Sequence, residues 1–118
     1  MNIIRKVLKL NKEEYYRKHL LIINHILPVQ MTPKEAEVLA AFMSLEGDIA
    51  KDPFGTSGRK IVREKLGGIS AGGLGNYLNQ FKKKGFVTER NDTLSILPIL
   101  IPQRGVQGYQ FKLEVDEV

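Results

Sequence analysis

The chain has 118 residues, 42% hydrophobic and 26% charged, which suits one globular domain with a real core and leaves too little chain for two independent ones. It contains no cysteine, which excludes a disulfide framework, a thiolate metal site and a thiol nucleophile. The net charge of +5 is uneven: residues 1–30 carry +4, 31–57 carry −3, 58–90 carry +6 and the remainder −2.

The basic excess over 58–90 is the footprint expected of phosphate binding, although a solvated lysine face has the same composition. The longest apolar runs, Leu20 to Ile23 and Ile96 to Ile101, fall far short of the roughly 18 residues of a membrane span. Charged and polar residues interrupt the N-terminal stretch that a signal peptide would keep apolar. The expectation is a cytoplasmic protein with no membrane partner.

In chain order, Asn2 to Leu10 sets Ile3, Arg5, Val7 and Lys9 against Ile4, Lys6, Leu8 and Leu10. This period of two, rich in β-branched residues, predicts a strand, with a helix start as the alternative. Asn11 before Lys-Glu-Glu-Tyr then reads as an N-cap followed by early acids. The helix it opens runs to about Leu27, where Pro28 stops it. Tyr16, Leu20, Ile23 and Leu27 share one face, and Tyr15, Ile22 and Ile26 widen it to about half the surface, more than one small domain usually covers. It is either a dimerisation helix or a helix packed between two others.

Thr32-Pro33-Lys34-Glu35 is a strong helix start, with a capping hydroxyl, proline at the first helical position and a glutamate able to complete a capping box. Val38, Leu39, Phe42 and Met43 give the apolar stripe, and Gly47 ends the helix near Leu45. Gly47 to Gly58 reads as a loop, long enough to be functional or to hold a short extra turn. A second short helix is predicted over Arg59 to Leu66, with Ile61, Val62 and Leu66 inward. Gly67 and Gly68 make the turn, Ile69 plugs the core, and Ser70 caps a helix over Ala71 to Lys84. Lys82, Lys83 and Lys84 suit the negative end of its dipole, and Gly85 closes it. Phe86 to Arg90 reads as a strand, Asn91-Asp92 as a turn, and Thr93 to Ile101 as an edge or bulged strand broken by Pro98. Gln103 to Gln107 is a loop, Tyr109, Phe111, Leu113 and Val115 alternate as a last strand, and the final residues fray.

The segments MTPKEAEVLAAF and IVREKLGGISAGGLGNYLNQFKKKGFV resemble the winged helix-turn-helix superfamily, closest in flavour to MarR-type regulators, over roughly residues 31–114. The capped first helix, the glycine turn and the Lys-Gly-Phe-Val exit fall in that family's order. The resemblance implies a mainly α fold with a small antiparallel β-sheet: a winged helix-turn-helix over 31–118, preceded by a strand-and-helix extension over 1–30 that is a candidate dimerisation element. It further implies a recognition helix (71–84) in the major groove of double-stranded DNA, and a transcriptional regulator acting as a homodimer. The chain departs from the pattern in the long loop before Gly58, an unusually apolar hairpin and a glycine-rich third helix.

At about 100° per residue, Leu74, Tyr77, Leu78 and Phe81 cluster on the anchoring side of that helix. Gly72, Asn76, Asn79 and Lys83 lie opposite, with Gln80 flanking. Amide side chains offer a donor and an acceptor together, matching adenine in the major groove, so Gly72, Asn76, Asn79 and Gln80 are the expected base-contacting positions. Arg59, Lys60, Ser70, Lys82 and Lys83 are the expected phosphate contacts; the bland alternative is an ordinary polar helix face. Gly72, Gly73 and Gly75 each cost about 1 kcal/mol relative to alanine in a helix interior, less in the first turn. Close approach to DNA accounts for Gly72 and helix packing for Gly75. Arg90 and Arg104 are assigned to the wing, with Arg104 beside Gly105 at the tip of a second hairpin; it is either a minor-groove arginine or a solvated one. The apolar Leu94 to Ile101 stretch packs on the N-terminal helix, pairs with the first strand, or forms an oligomer interface.

Other chemistry lacks its residues. His19 and His25, six apart, point about 240° from each other round a helix and are expected to be solvated or capping. GTSGRK fails the phosphate-loop pattern, with Pro53 at the first glycine position and Ile61 where a Ser or Thr belongs. GGISAGGLG follows a helix, not a strand, so it is no dinucleotide fingerprint. Nothing in the sequence asks for a cofactor, a metal or a small-molecule ligand, and no enzyme is expected. Two further readings remain: a protein-interaction or assembly module, because fold does not fix function, and a replication or recombination accessory protein.

Overall fold

The helices begin, with one exception, where a side chain takes over the orphan N–H groups of the first turn. In the computed structural model, which describes residues 2–117, helix α1 (Lys12–Ile23) starts on Asn11, whose Oδ1 accepts from the Glu14 N–H at 2.9 Å. Helix α2 (Pro33–Met43) starts on a complete capping box: Thr32 Oγ1 accepts from the Glu35 N–H at 3.1 Å, and Glu35 Oε1 from the Thr32 N–H at 2.8 Å. Helix α3 (Thr56–Lys65) is the exception, opening on Gly55 without a side-chain cap. Helix α4 (Ala71–Lys84) opens on Ser70, whose hydroxyl accepts from the Gly73 N–H at 3.0 Å, and closes on Gly85 in the left-handed conformation.

Strands β1 (Val87–Arg90) and β2 (Thr93–Ile96) pair antiparallel, with Val87 opposite Ile96 and Arg90 opposite Thr93. The turn between them holds Asn91 and Asp92 at φ 53° and 59°. A two-residue hairpin loop with both residues left-handed matches strand twist, and Asn and Asp tolerate that conformation best after glycine. Short 3₁₀ turns follow α1 (Asn24–Ile26), α2 (Gly47–Lys51) and β2 (Pro98–Leu100). The chain is therefore mainly α, with one small antiparallel sheet among the described residues.

One hydrophobic cluster joins these elements. Leu20, Ile23 and Leu27 meet Val38, Leu39 and Phe42 along the α1–α2 contact. Val62, Leu74, Leu78 and Phe81 bring in α3 and α4, and Phe86, Val87, Leu94 and Leu100 close it. The Phe42 and Phe54 rings stack at 4.6 Å between centroids. No described helix is long and apolar enough to cross a membrane.

A chain of polar ties runs along the edge of this core. The Asn24 amide brackets Met31, donating to its carbonyl at 2.9 Å and accepting from its N–H at 2.7 Å. Lys84, at the end of α4, donates to Glu35 at 2.6 Å and to the Gln30 carbonyl at 3.3 Å. The Glu35 side chain is only 5% exposed. Burial alone would raise its pKa, but the Lys84 ammonium and the Thr32 N–H outweigh it and hold the carboxyl below the ordinary glutamate value.

Several expectations are corrected. Asn2 to Leu10 forms no strand: it pairs with no other strand among the described residues, and its residues up to Lys9 are exposed. Helix α3 begins at Thr56 rather than Arg59, because Gly55 offers a start and the preceding loop tightens into its own 3₁₀ turn. The second strand stops at Ile96, since Pro98 turns the chain, and the buried Leu100 carries the apolar stretch onto the α1 side of the core. Tyr109 to Val115 likewise joins no ladder, and there is no second hairpin among the described residues; Arg104 and Gly105 form a bend. His19 is buried, not solvated.

Two predictions follow from the packing. A Cβ at Gly58 would lie 1.8 Å from the Pro53 carbonyl oxygen, so Gly58→Ala lowers unfolding stability by about 1–3 kcal/mol, read as a lower urea midpoint. The folded Glu35 pKa lies below its unfolded value, so its contribution is complete above about pH 4.5 and is lost as pH falls through the folded pKa. Glu35→Gln therefore destabilises the protein at pH 7 and flattens its acid-unfolding profile, measured by circular dichroism.

Candidate nucleic-acid interface

The two sides of α4 differ sharply. Leu74, Leu78 and Phe81 are buried at 1%, 3% and 0% exposure, and Tyr77 is half-buried with its ring 6.5 Å from that of Phe81. On the far side Gly72, Asn76, Asn79, Gln80 and Lys83 are exposed. None of Asn76, Asn79, Gln80 or Lys83 makes a side-chain hydrogen bond or ion pair among the described residues. The face is thus a set of uncommitted amides and one free ammonium on a helix locked from behind.

The glycines sort differently from expectation. A Cβ at Gly72 would meet nothing within 4 Å, and the same holds for Gly75. Close packing within the chain therefore does not account for Gly75; it adds to the same bare surface as Gly72, three residues on. Gly73 instead faces the turn, where a Cβ would crowd Ile69 and the Ser70 hydroxyl at 3.1 Å.

The cations expected at phosphates are unequal. Lys60 is exposed on α3 without an ion pair, and Lys83 is equally free. Arg59 is exposed, but its Nε donates to the Phe54 carbonyl at 2.6 Å, which fixes the root of the guanidinium. Lys82 is held by Glu89 of β1 at 3.4 Å, which ties α4 to the hairpin. The Ser70 oxygen accepts from Gly73, leaving its hydroxyl proton available. Arg90 is exposed at the end of β1, next to the Asn91-Asp92 turn, so the hairpin tip holds one cation and one acid. Arg104 lies in the bend after Pro102, away from that hairpin tip in the chain.

Two supporting residues escaped the sequence reading. Arg63 Nε donates to the Ile69 carbonyl at 2.9 Å, bracing the turn that sets α4 against α3. Lys84 suits the helix dipole like its neighbours, and it also pairs with the buried Glu35 while staying a quarter exposed itself. The helical period sets Lys84 beside Tyr77 on the anchoring side and Lys83 on the outer face, but no local signal names the partner of Lys84, which lies 49 residues away.

Behind α1, the C-terminal segment is strapped on by two tyrosines. Tyr15 Oη donates to the Gln103 carbonyl at 2.6 Å, and Tyr109 Oη hydrogen-bonds His19 Nδ1. Among the described residues His19 Nε2 is buried without a hydrogen-bond partner. Burial lowers the His19 pKa; the nearby Leu100 backbone pulls weakly the other way, and burial prevails. Phe111 and Leu113 then line a groove of about 550 Å³ with Lys18, Leu21, Ile22 and His25. Among the described residues no cluster of three or more His, Asp or Glu side chains could hold a metal.

Comparisons with family models, with curated proteins and with solved structures give no match to this chain.

Because Gly75 has open space around it, Gly75→Ala is expected to stabilise the protein by about 1 kcal/mol through helix propensity alone, seen as a higher urea midpoint with an unchanged slope.

Proposed function

We propose that this protein binds double-stranded DNA with α4 in the major groove, and that α2, α3, α4 and the β1–β2 hairpin together act as a winged helix-turn-helix. The reading is of a transcriptional regulator, a binding protein and not an enzyme, working as a homodimer. The observation that carries it is the outer face of α4, where Asn76, Asn79, Gln80 and Lys83 have no partner within the chain and Gly72 and Gly75 leave the backbone bare. An α-helix fits the major groove, an amide can bond adenine through two atoms, and a helix stripped of side chains along one line can sit closer to the bases. Lys60, Lys83 and Arg90, together with the Ser70 hydroxyl, supply the sequence-independent phosphate contacts.

A second reading has its own observation. Ile4, Val7, Leu113 and Val115 are each more than four-fifths exposed, more apolar surface at the two ends than a freely soluble monomer needs. An assembly module, or an accessory protein in replication or recombination, would use such surface.

A site selected from random duplex DNA tests the leading reading. Each base contact is worth about 1–3 kcal/mol, so the Asn76→Ala, Asn79→Ala, Lys83→Ala triple variant is expected to bind that site at least tenfold more weakly. Its slope of log K against log salt should be shallower by about one phosphate contact. Gly75→Ala, though more stable, should bind more weakly too. Unchanged affinity in the triple variant, measured by fluorescence anisotropy, would remove α4 as the reading element.

A further inference from the structure

Residues 2–10 lie outside every helix and strand, and no backbone hydrogen bond joins them to the rest of the chain among the described residues. Their aliphatic side chains are left in water: Ile3 and Leu8 are more than half exposed, Ile4 is 97% and Val7 83% exposed. Arg5, Lys6 and Lys9 are exposed beside them and form no ion pair or side-chain hydrogen bond among the described residues. No acid precedes Glu13. Apolar surface and positive charge are thus held together on a segment that the core does not use.

Residue spacing decides which conformation separates the two. With a period of two, each side of the segment is mixed. Lys6 falls among Ile4, Leu8 and Leu10, while Arg5 and Lys9 alternate with Ile3 and Val7. At about 100° per residue the same residues segregate without exception. Leu10, Ile3, Val7, Ile4 and Leu8 then follow one another round an arc of about 160°, and Arg5, Lys9, Asn2 and Lys6 fill an arc of about 100° on the other side. So short a helix does not hold in water by itself, which accounts for its absence from the free chain. It needs a surface that takes up the apolar arc and meets the cations at its rim. A nucleic-acid duplex satisfies the cations and offers the aliphatic side chains nothing. A neutral apolar groove does the reverse. The boundary between headgroups and acyl chains of an anionic bilayer does both.

We propose that residues 2–10 fold into an amphipathic helix on an anionic lipid bilayer, with Ile3, Ile4, Val7 and Leu8 in the acyl boundary and Arg5, Lys6 and Lys9 at the headgroup phosphates. The helix lies along the surface and does not span it, so the shortness of the apolar runs is no obstacle, and a lipid partner replaces the expectation of none. Asn11 keeps its place as the cap of α1 and marks the joint between the two helices. The site is separate from the exposed face of α4 and stands whether or not that face reads DNA.

The test uses the full-length chain with vesicles of mixed phosphatidylcholine and phosphatidylglycerol, against vesicles of phosphatidylcholine alone. Each cation near an anionic surface contributes about fivefold to binding, so co-sedimentation at low salt should show a preference of about a hundredfold for the anionic vesicles. Ile4→Gln combined with Val7→Gln keeps the charge and removes the middle of the apolar arc; it should bind the anionic vesicles at least tenfold more weakly, with unchanged circular dichroism in solution. Lys6→Pro should bind more weakly than Lys6→Ala, since both lose the cation but only proline blocks the helix. The absence of cysteine allows single thiol labels with a polarity-sensitive fluorophore. Ile4→Cys and Val7→Cys labels should shift to the blue on anionic vesicles, and Lys6→Cys and Lys9→Cys labels should not. Equal vesicle binding by the unsubstituted chain and the Ile4→Gln, Val7→Gln variant overturns the proposal, because charge alone would then be at work. So does a label response in which positions 4 and 6 behave alike and 7 and 9 behave alike, the signature of a strand. A blue shift produced by duplex DNA, or by concentrated protein without lipid, overturns it as well.

Discussion

The ion pair between the buried Glu35 and the partly exposed Lys84 is the contact on which the placement of α4 depends. Glu35 serves two helices at once: its carboxylate completes the capping box of α2 and receives the ammonium from the last residue of α4. Pairing and hydrogen bonding together overcome the desolvation cost that a lone buried carboxylate would carry. Removing either partner would leave a charge stranded near the core and free the end of α4 from the start of α2. The Asn24 amide extends this arrangement by clamping Met31, so the end of α1, the entry to α2 and the exit of α4 are locked in sequence.

The opposite end of α4 is set by backbone constraints. Gly58 lets α3 press directly on the Pro53 carbonyl, a contact no other residue allows. Arg63 then reaches from α3 to the Ile69 carbonyl and holds the glycine turn that leads into Ser70. With both ends fixed and Leu74, Leu78 and Phe81 buried between them, the outer face of α4 is presented rigidly. Burial of that inner face offsets the weak intrinsic propensity of a glycine-rich helix. The core behind supplies the order that the helix lacks by itself.

The terminal segments follow a different logic. The tail is attached to α1 by side-chain contacts, Tyr15 to the Gln103 carbonyl and Tyr109 to His19, and by no ladder. The breadth of the apolar surface on α1 has part of its explanation here: one side packs on α2, and another carries Tyr15 and His19, which are tied to the Gln103 carbonyl and to Tyr109.

Sequence alone determined whatever local chemistry decides. The Asn11, Thr32 and Ser70 caps, the Gly85 stop and the Asn91-Asp92 turn each occupy their expected place, because a cap or a tight turn is satisfied within about four residues. The α4 boundaries and its buried and exposed sides were legible for the same reason, since the apolar period carries through fourteen residues. Tertiary structure decided everything with a distant partner. Alternation at 2–10 and 109–115 marks a strand tendency, but a strand exists only where another edge meets it, and among the described residues none does. Lys84 and His19 owe their burial to Glu35 and Tyr109, which lie 49 and 90 residues away and meet them only when the elements pack.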